Sequence, residues 1–287
     1  MSEADVRTVG VVGLGTMGAG IAQVCVQAGI ATVGREVSEE LCELARERIA
    51  HYLGRGVEKG RLTAEERDAA LGRLTTTTEL ADLAACDLVV EAIVEDLGAK
   101  RELFRALESV VREGAVLATN TSALSVTEIA GATKRPERVV GMHFFNPAPV
   151  LPLVEVVRTE LASDAAVETA FALAERLGKE PIRCNDTPGF VVNRILIPLL
   201  NDCVRVLDEA GVSPEDLDKA MTRGVNWPIG PCALIDLIGI DVHVHASEAL
   251  HAALGEARMA PPQRLVRMRD EGHLGRKSGQ GFFSYGG

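Results

Sequence analysis

Three glycines, at positions 13, 15 and 18, stand in Val9-Gly10-Val11-Val12-Gly13-Leu14-Gly15-Thr16-Met17-Gly18, between an apolar run and an amphipathic one. Side chains absent at this spacing can bind a pyrophosphate. Gly13 permits a tight strand-to-helix turn, Gly15 lets the backbone approach the ligand, and Gly18 lets helix and strand pack closely. The phosphates then meet free N–H groups at a helix N-terminus. Thr16 and Met17 lie in the same turn. Glu36, 18 residues beyond Gly18, closes the next predicted strand, Ala31 to Gly34. A carboxylate there accepts bonds from both ribose hydroxyls and repels a 2′-phosphate, which favours NAD. Arg35 beside it leaves NADP open.

Four further polar residues fall where such a fold collects its ligands. Ser122 follows the strand 115–120, and His143 ends the strand 138–145. Glu155 is on the strand 153–157, and Asn193 stands just inside a helical region. Ligands of open parallel sheets bind beyond the carboxyl ends of the strands. Oxidation of a hydroxyl needs a base near neutrality, and histidine is the side chain already tuned there. Each residue also has an ordinary structural reading. A His–Glu pair is commonly an ion pair, Ser122 a helix N-cap, Asn193 a turn residue, and Lys59 and Lys100 solvated charges.

The elements that must position these residues alternate. Helical periodicity runs over 38–58 and a capping-box pattern opens another helix at Thr63-Ala64-Glu65-Glu66, a helical excursion spanning about 38–75. A strand at 88–93, a helix at 100–111 and a short helix at 125–130 follow. This rhythm predicts an α/β, doubly wound, mostly parallel sheet over residues 1–185. After the turn Asp186-Thr187-Pro188-Gly189 the runs are helical, so residues 186–287 are expected to form an all-α domain. There 195–210 reads as one helix with Pro198 in its first turn, and 235–254 as another.

The 287 residues carry a formal charge of −11, which argues against nucleic acid or an anionic membrane as the main partner. No apolar run approaches the ~20 residues of a membrane span. The six cysteines show no C-x-x-C, as expected of free thiols in the cytoplasm. His243 and His245 are two residues apart, a spacing that points rings away from each other on a helix, and no metal site is expected.

The chain resembles the single-function 3-hydroxyacyl-CoA dehydrogenases, nearest those acting on 3-hydroxybutyryl-CoA. The resemblance is carried by the glycine turn through Gln23, Glu91-Ala92-Ile93-Val94-Glu95, Asn120-Thr121-Ser122 and His143-Phe144-Phe145-Asn146-Pro147. It continues in Asp186 through Arg194, Gly230-Pro231 and Gly275-Arg276-Lys277-Ser278-Gly279. It implies a Rossmann-type domain, reversible hydride transfer to NAD, and His143 as base with Glu155 holding the imidazole. Ser122 and Asn193 would bond the reacting oxygen or the thioester carbonyl. Cofactor contacts carry over to the three glycines, Glu36, Glu95, Lys100, Ser122 and Lys277, and a coenzyme A contact to Lys59. A homodimer through the helical domain is also implied.

Three positions depart from the family pattern. Pro152 replaces a lysine before Glu155, Glu95-Asp96 replaces Glu-Asn, and Glu36 replaces aspartate. Pro152 motivates an alternative in which a small hydroxyacyl group, such as glyceryl, is tethered to an acyl carrier protein for polyketide extender-unit synthesis. The carrier would dock on basic residues such as Arg46, Arg48, Arg55, Lys59 and Arg61. A non-catalytic NAD-binding protein is a third reading. The β-hydroxyacid dehydrogenases share the glycine turn but need a lysine that Asn193-Arg194-Ile195-Leu196 does not offer.

Overall fold

The computed structural model describes residues 6–286. The chain divides into two compact units, with the break between Thr187 and Pro188. The first unit is built from β1 (Thr8–Val12), α1 (Thr16–Gln27), β2 (Ala31–Arg35), α2 (Glu39–Glu58), α3 (Ala64–Leu71), β3 (Leu74–Thr77) and β4 (Leu88–Glu91). It continues through α4 (Leu97–Val110), β5 (Val116–Thr119), α5 (Val126–Ala130), β6 (Val139–Phe144), β7 (Leu153–Arg158), α6 (Asp164–Arg176) and β8 (Glu180–Asn185).

The eight strands form one sheet in the order β3-β2-β1-β4-β5-β6-β7-β8. All neighbours are parallel except β6 and β7. Strand order reverses between β1 and β4, the switch point at which such sheets open a crevice for a dinucleotide. The central strands β1, β4, β5 and β6 are buried on both faces, and helices flank them. This is why they read as continuous apolar runs. The core joins Val9, Val11, Ile21, Val90, Met142 and Phe144 to apolar residues of α2 and α6.

Local signals set the helix starts. Ser38 accepts a bond from Leu41 N–H to open α2. Thr63 and Glu66 form a complete capping box for α3, with bonds of 2.8 and 3.1 Å, a device worth about 1 kcal/mol. Three elements lie outside the sequence-based reading. β3 is a threonine-rich strand at the end of the helical excursion, and α6 is a 13-residue helix capped by Ser163. β8 is an edge strand carrying Pro181. Proline is tolerated at an edge because only one side of the strand is paired, and by pattern it argues against a strand.

The second unit consists of α7 (Val192–Ala210), α8 (Pro214–Gly224), α9 (Pro231–Ile238), α10 (Ile240–Leu254) and α11 (Gln263–Asp270). Two expectations are corrected here. Residues 235–254 are not one helix: Gly239, at φ 102°, ends α9 and opens α10, a conformation only glycine adopts without strain. Pro198 is interior rather than in a first turn, because α7 already begins at Val192, where the Gly189 turn sends a bond from Arg194 N–H back to Gly189 O. Among the described residues no helix is long and apolar enough to cross a membrane.

Candidate active site

The glycine turn occupies the switch point. Gly13, at φ 84°, donates its N–H to Arg35 O at 2.9 Å, and a methyl there would lie 2.7 Å from Ala92 O. A methyl on Gly18 would lie 1.7 Å from Gly13 O, so helix and turn touch backbone to backbone. Gly15 differs: a methyl there meets nothing within 4 Å. Its glycine is not demanded by packing, and the open space suits a ligand that comes against the backbone. Among the described α-helices of this unit, α1 alone lacks a side-chain cap; Ser38, Thr63, Asp96, Ser125 and Ser163 cap the others. Its first N–H groups, from the Thr16–Gly18 turn, are the donors an anion takes up.

Glu36 leaves the end of β2 and folds back on this turn. One carboxylate oxygen accepts Leu14 N–H at 2.6 Å and the other Val37 N–H at 2.9 Å. A carboxylate has about four acceptor sites, so both oxygens keep capacity for ribose hydroxyls. Arg35 is engaged elsewhere, its Nε donating to Thr78 O at 3.1 Å. These residues fit an NAD molecule whose adenosine ribose faces a fixed carboxylate.

Beyond β4 and β5 lies a buried charge cluster. Glu91, wholly buried, accepts from Lys100 Nζ at 2.5 Å, from Ile93 N–H at 2.7 Å and from the Thr119 hydroxyl at 2.7 Å. Lys100 also meets Glu95 at 3.3 Å. Glu95 in turn accepts from the Thr121 hydroxyl at 2.5 Å and from the N–H groups of Ser122 and Ala123 at 2.9 and 3.2 Å. Burial pushes the Glu95 carboxyl up, but the Lys100 ammonium and the bonds from Thr121 and Ser122 outweigh it and hold the group below its usual range. Lys100 is therefore no solvated charge: it is 1% exposed.

His143 and Glu155 are directly paired across the antiparallel β6–β7 ladder, which puts both side chains on the same face of the sheet. His143 Nδ1 lies 2.6 Å from Glu155 Oε2, with His143 5% exposed and Glu155 fully buried. The His143 ring also packs against Phe145 in a tilted arrangement, centroids 4.5 Å apart. Asn120 accepts the N–H of Phe144 at 2.9 Å and so ties β6 to the Ser122 segment. A base held by an orienting carboxylate is the arrangement that proton transfer from a hydroxyl requires.

In the second unit Asn193 lies in the first turn of α7 and is half-buried. Lys277 donates to Asp241 at 2.6 Å. The tail that carries Lys277 is fixed by buried Asp236, which accepts from Phe282 and Phe283 N–H at 2.9 and 3.0 Å and from the Tyr285 hydroxyl at 3.1 Å. Lys59 is exposed at the end of α2. His243 is buried with Nε2 2.9 Å from Asn201 Oδ1, whereas His245 is exposed. Among the described residues no group of three His, Cys, Asp or Glu could hold a metal.

Sequence reasoning gave no part to Glu91, Asp186 or Lys179. Asp186 accepts from Ser125, Val126 and Thr127 at the start of α5. Lys179, almost buried, donates to Ala148 O and Leu151 O in the segment after His143. The one available signal was an acidic residue closing the apolar run Leu88-Val89-Val90-Glu91.

The model of the 3-hydroxyacyl-CoA dehydrogenase NAD-binding domain matches residues 8–187, and that of the same family's C-terminal domain matches 189–285. A 3-hydroxybutyryl-CoA dehydrogenase of Mycobacterium tuberculosis is 46% identical over 287 residues, covering 99% of this chain and all of the relative. A probable 3-hydroxybutyryl-CoA dehydrogenase of Bacillus subtilis is 40% identical, covering 98% of each chain. The crystal structure of (S)-3-hydroxybutyryl-CoA dehydrogenase from Ralstonia eutropha superposes with a TM-score of 0.94 at 40% identity, covering 99% of this chain and all of that one. With both of the family's domain models matched over nearly the whole chain, the chain belongs to the 3-hydroxyacyl-CoA dehydrogenase family and is an NAD-dependent oxidoreductase.

Proposed function

We propose that this chain oxidises the 3-hydroxyl of a short 3-hydroxyacyl-CoA, of the 3-hydroxybutyryl-CoA type, to the 3-oxoacyl thioester, and catalyses the reverse reduction. The observation that carries this reading is the buried His143–Glu155 pair, 2.6 Å apart. The named activity of full-length relatives supports the substrate class, and the (S) configuration with it. NAD supplies the acceptor for the hydride leaving C3. Glu155 can only accept at Nδ1, so Nδ1 carries the ring hydrogen and Nε2 the lone pair. His143 takes the hydroxyl proton on Nε2 while the C3–H bond breaks, the C3–O bond becomes a carbonyl, and Glu155 stabilises the imidazolium that forms. Ser122 and Asn193 hydrogen-bond the reacting oxygen or the thioester carbonyl. Lys277 contacts the cofactor and Lys59 the coenzyme A moiety.

The carrier-protein alternative rests on Pro152. That residue has a structural account: its carbonyl accepts Glu180 N–H at 2.8 Å immediately before β7, where a strand tolerates proline. Two of the basic residues suggested for docking have internal partners, Arg46 on Leu74 O at 3.4 Å and Arg55 beside Glu58 at 3.8 Å. Exposed Ile195, Val206, Leu237 and Val242 on α7, α9 and α10 support a homodimer through the helical unit, and six free cysteines support a cytoplasmic setting.

The deciding assay follows NADH formation from (S)-3-hydroxybutyryl-CoA and from a carrier-loaded hydroxyacyl group. Turnover of the free ester, lost by about 10²–10⁴-fold in His143→Ala, is the expected result. Turnover of the carrier-loaded group alone would move the substrate to the carrier, and NADH binding without either activity would leave a non-catalytic protein.

A further inference from the structure

We infer that Lys179 is a positioning residue: its ammonium seats the β6–β7 connection, residues 145–152, against α1 and so fixes His143 relative to the helix that opens at the glycine turn. The inference rests on the proposed function for the part His143 plays.

Residues 145–152 join β6, which carries His143, to β7, which carries Glu155. Within the connection the N–H groups of Val150 and Leu151 both donate to Pro147 O, at 2.9 and 3.0 Å. Lys179 is delivered by the turn that ends α6, where Gly178 has φ 71° and Lys179 N–H donates back to Ala174 O at 3.0 Å. Its ammonium then donates to Ala148 O and, at 3.0 Å, to Leu151 O. Lys179 is 9% exposed, and burial alone acts on its pKa, lowering it from the ordinary lysine value. A buried ammonium set against two carbonyls instead of a carboxylate is a costly way to fill space. What it adds over an apolar side chain of the same length is two bonds from one atom, which tie down both ends of the Ala148–Leu151 turn.

The same turn rests on α1. Ala148 is 2% exposed and belongs to the core that α1 helps to build. Gly20 lies inside α1, where glycine is less favourable than alanine. A methyl on Gly20 would lie 3.1 Å from Pro149 Cδ and 3.3 Å from Ala148 Cβ, so the bare backbone is what lets the connection come down on the helix. Because the connection leaves directly from Phe144 and returns directly into Leu153, displacing it moves the cross-strand partners His143 and Glu155 relative to α1 while their own pairing survives.

Two variants test this. Lys179→Met removes both bonds and keeps the length. Gly20→Ala breaks no bond but crowds the connection from α1, so it decides the matter if Lys179→Met does not fold. Each variant is titrated with NADH to count binding sites, and kcat with (S)-3-hydroxybutyryl-CoA is expressed per site, a quantity that a mere loss of folded protein leaves unchanged. Amide hydrogen exchange is followed at Val150 and Leu151. Both variants are expected to lose about tenfold or more of kcat per site, as a misplaced reacting group does, with NADH affinity within about threefold of the unsubstituted protein. Exchange at Val150 and Leu151 is expected to accelerate by about tenfold or more. Full kcat per site in folded Lys179→Met would leave the lysine serving the fold alone, and full kcat per site in Gly20→Ala would mean that the connection does not depend on α1; either overturns the inference. So does unchanged exchange, or a fall in NADH affinity as steep as that in kcat, which would place the effect in α1 itself. An unsubstituted protein inactive on this ester would count against the proposed function alone, and exchange at Val150 and Leu151, which needs no substrate, would still show whether Lys179 and Gly20 hold the connection.

Discussion

Glu155→Gln isolates what the carboxylate does for His143. Glutamine keeps the volume and an oxygen that accepts the Nδ1 hydrogen, so the 2.6 Å contact survives while its negative charge is lost. On the proposed mechanism the imidazole becomes a cation beside that charge in the transition state. Two unit charges about 4 Å apart interact by about 4 kcal/mol at an effective dielectric of about 20, and the retained hydrogen bond recovers about 1 kcal/mol. The net loss of about 3 kcal/mol corresponds to a fall in kcat of about 100-fold. Folding should not suffer, because Glu155 is fully buried and the substitution removes a charge from the interior instead of stranding one. The assay pairs steady-state kcat in the oxidation direction with a thermal melt and an NADH titration. A kcat within about threefold of the unsubstituted protein would refute the role of the charge. A loss matched by an equal fall in NADH affinity or a collapsed melt would show that Glu155 acts on the fold and not on the base.

The second and third glycines of the turn should separate binding from folding. Gly15→Ala, whose methyl meets nothing within 4 Å, is expected to keep its melting temperature and weaken NADH binding about tenfold or more, whereas Gly18→Ala, 1.7 Å from Gly13 O, lowers both; equal melts for the pair would contradict this. Glu36 and the engaged Arg35 predict a kcat/KM preference for NAD over NADP of about 100-fold or more, shrinking in Glu36→Ser; comparable rates with the two cofactors would defeat the argument. His243 is held down to about 4 by burial from an ordinary 6.5. The unfolded chain therefore takes up a proton that the folded chain refuses between those values. Stability should be complete above about pH 6.5 and fall by about 3 kcal/mol as pH drops to about 4, at about 1.4 kcal/mol per pH unit. Denaturant midpoints of the unsubstituted protein and His243→Gln across this range check it, and an unchanged slope in the variant would assign the acid sensitivity elsewhere.

Burial is why His243 refuses that proton, and the Asn201 amide fixes which ring nitrogen carries its hydrogen. Its Nδ2 faces the carbonyls of Arg258, Met259 and Ala260, which leaves Oδ1 toward the imidazole as an acceptor. The Nε2 of His243 must donate, and its buried Nδ1 has no protein partner. A cation there would be stranded. Nothing in the pattern His243-Val244-His245 discloses this, because the partner comes from a helix more than forty residues earlier.

Local chemistry alone determined the glycine turn, the acidic residue after the second strand, the capping box at Thr63 and the α/β rhythm of the first unit. Each depends on residues within a turn or a strand of one another, where backbone sterics and hydrogen-bonding geometry act directly. Tertiary structure decided what joins distant segments: the register that sets His143 opposite Glu155, the burial that turns Lys100 from a surface charge into the ion-pair partner of Glu91, and the edge position that lets Glu180–Asn185 be a strand in spite of Pro181. Strand pairing and the loss of solvent around a charge are properties of the packed chain, and no spacing in a linear sequence specifies them.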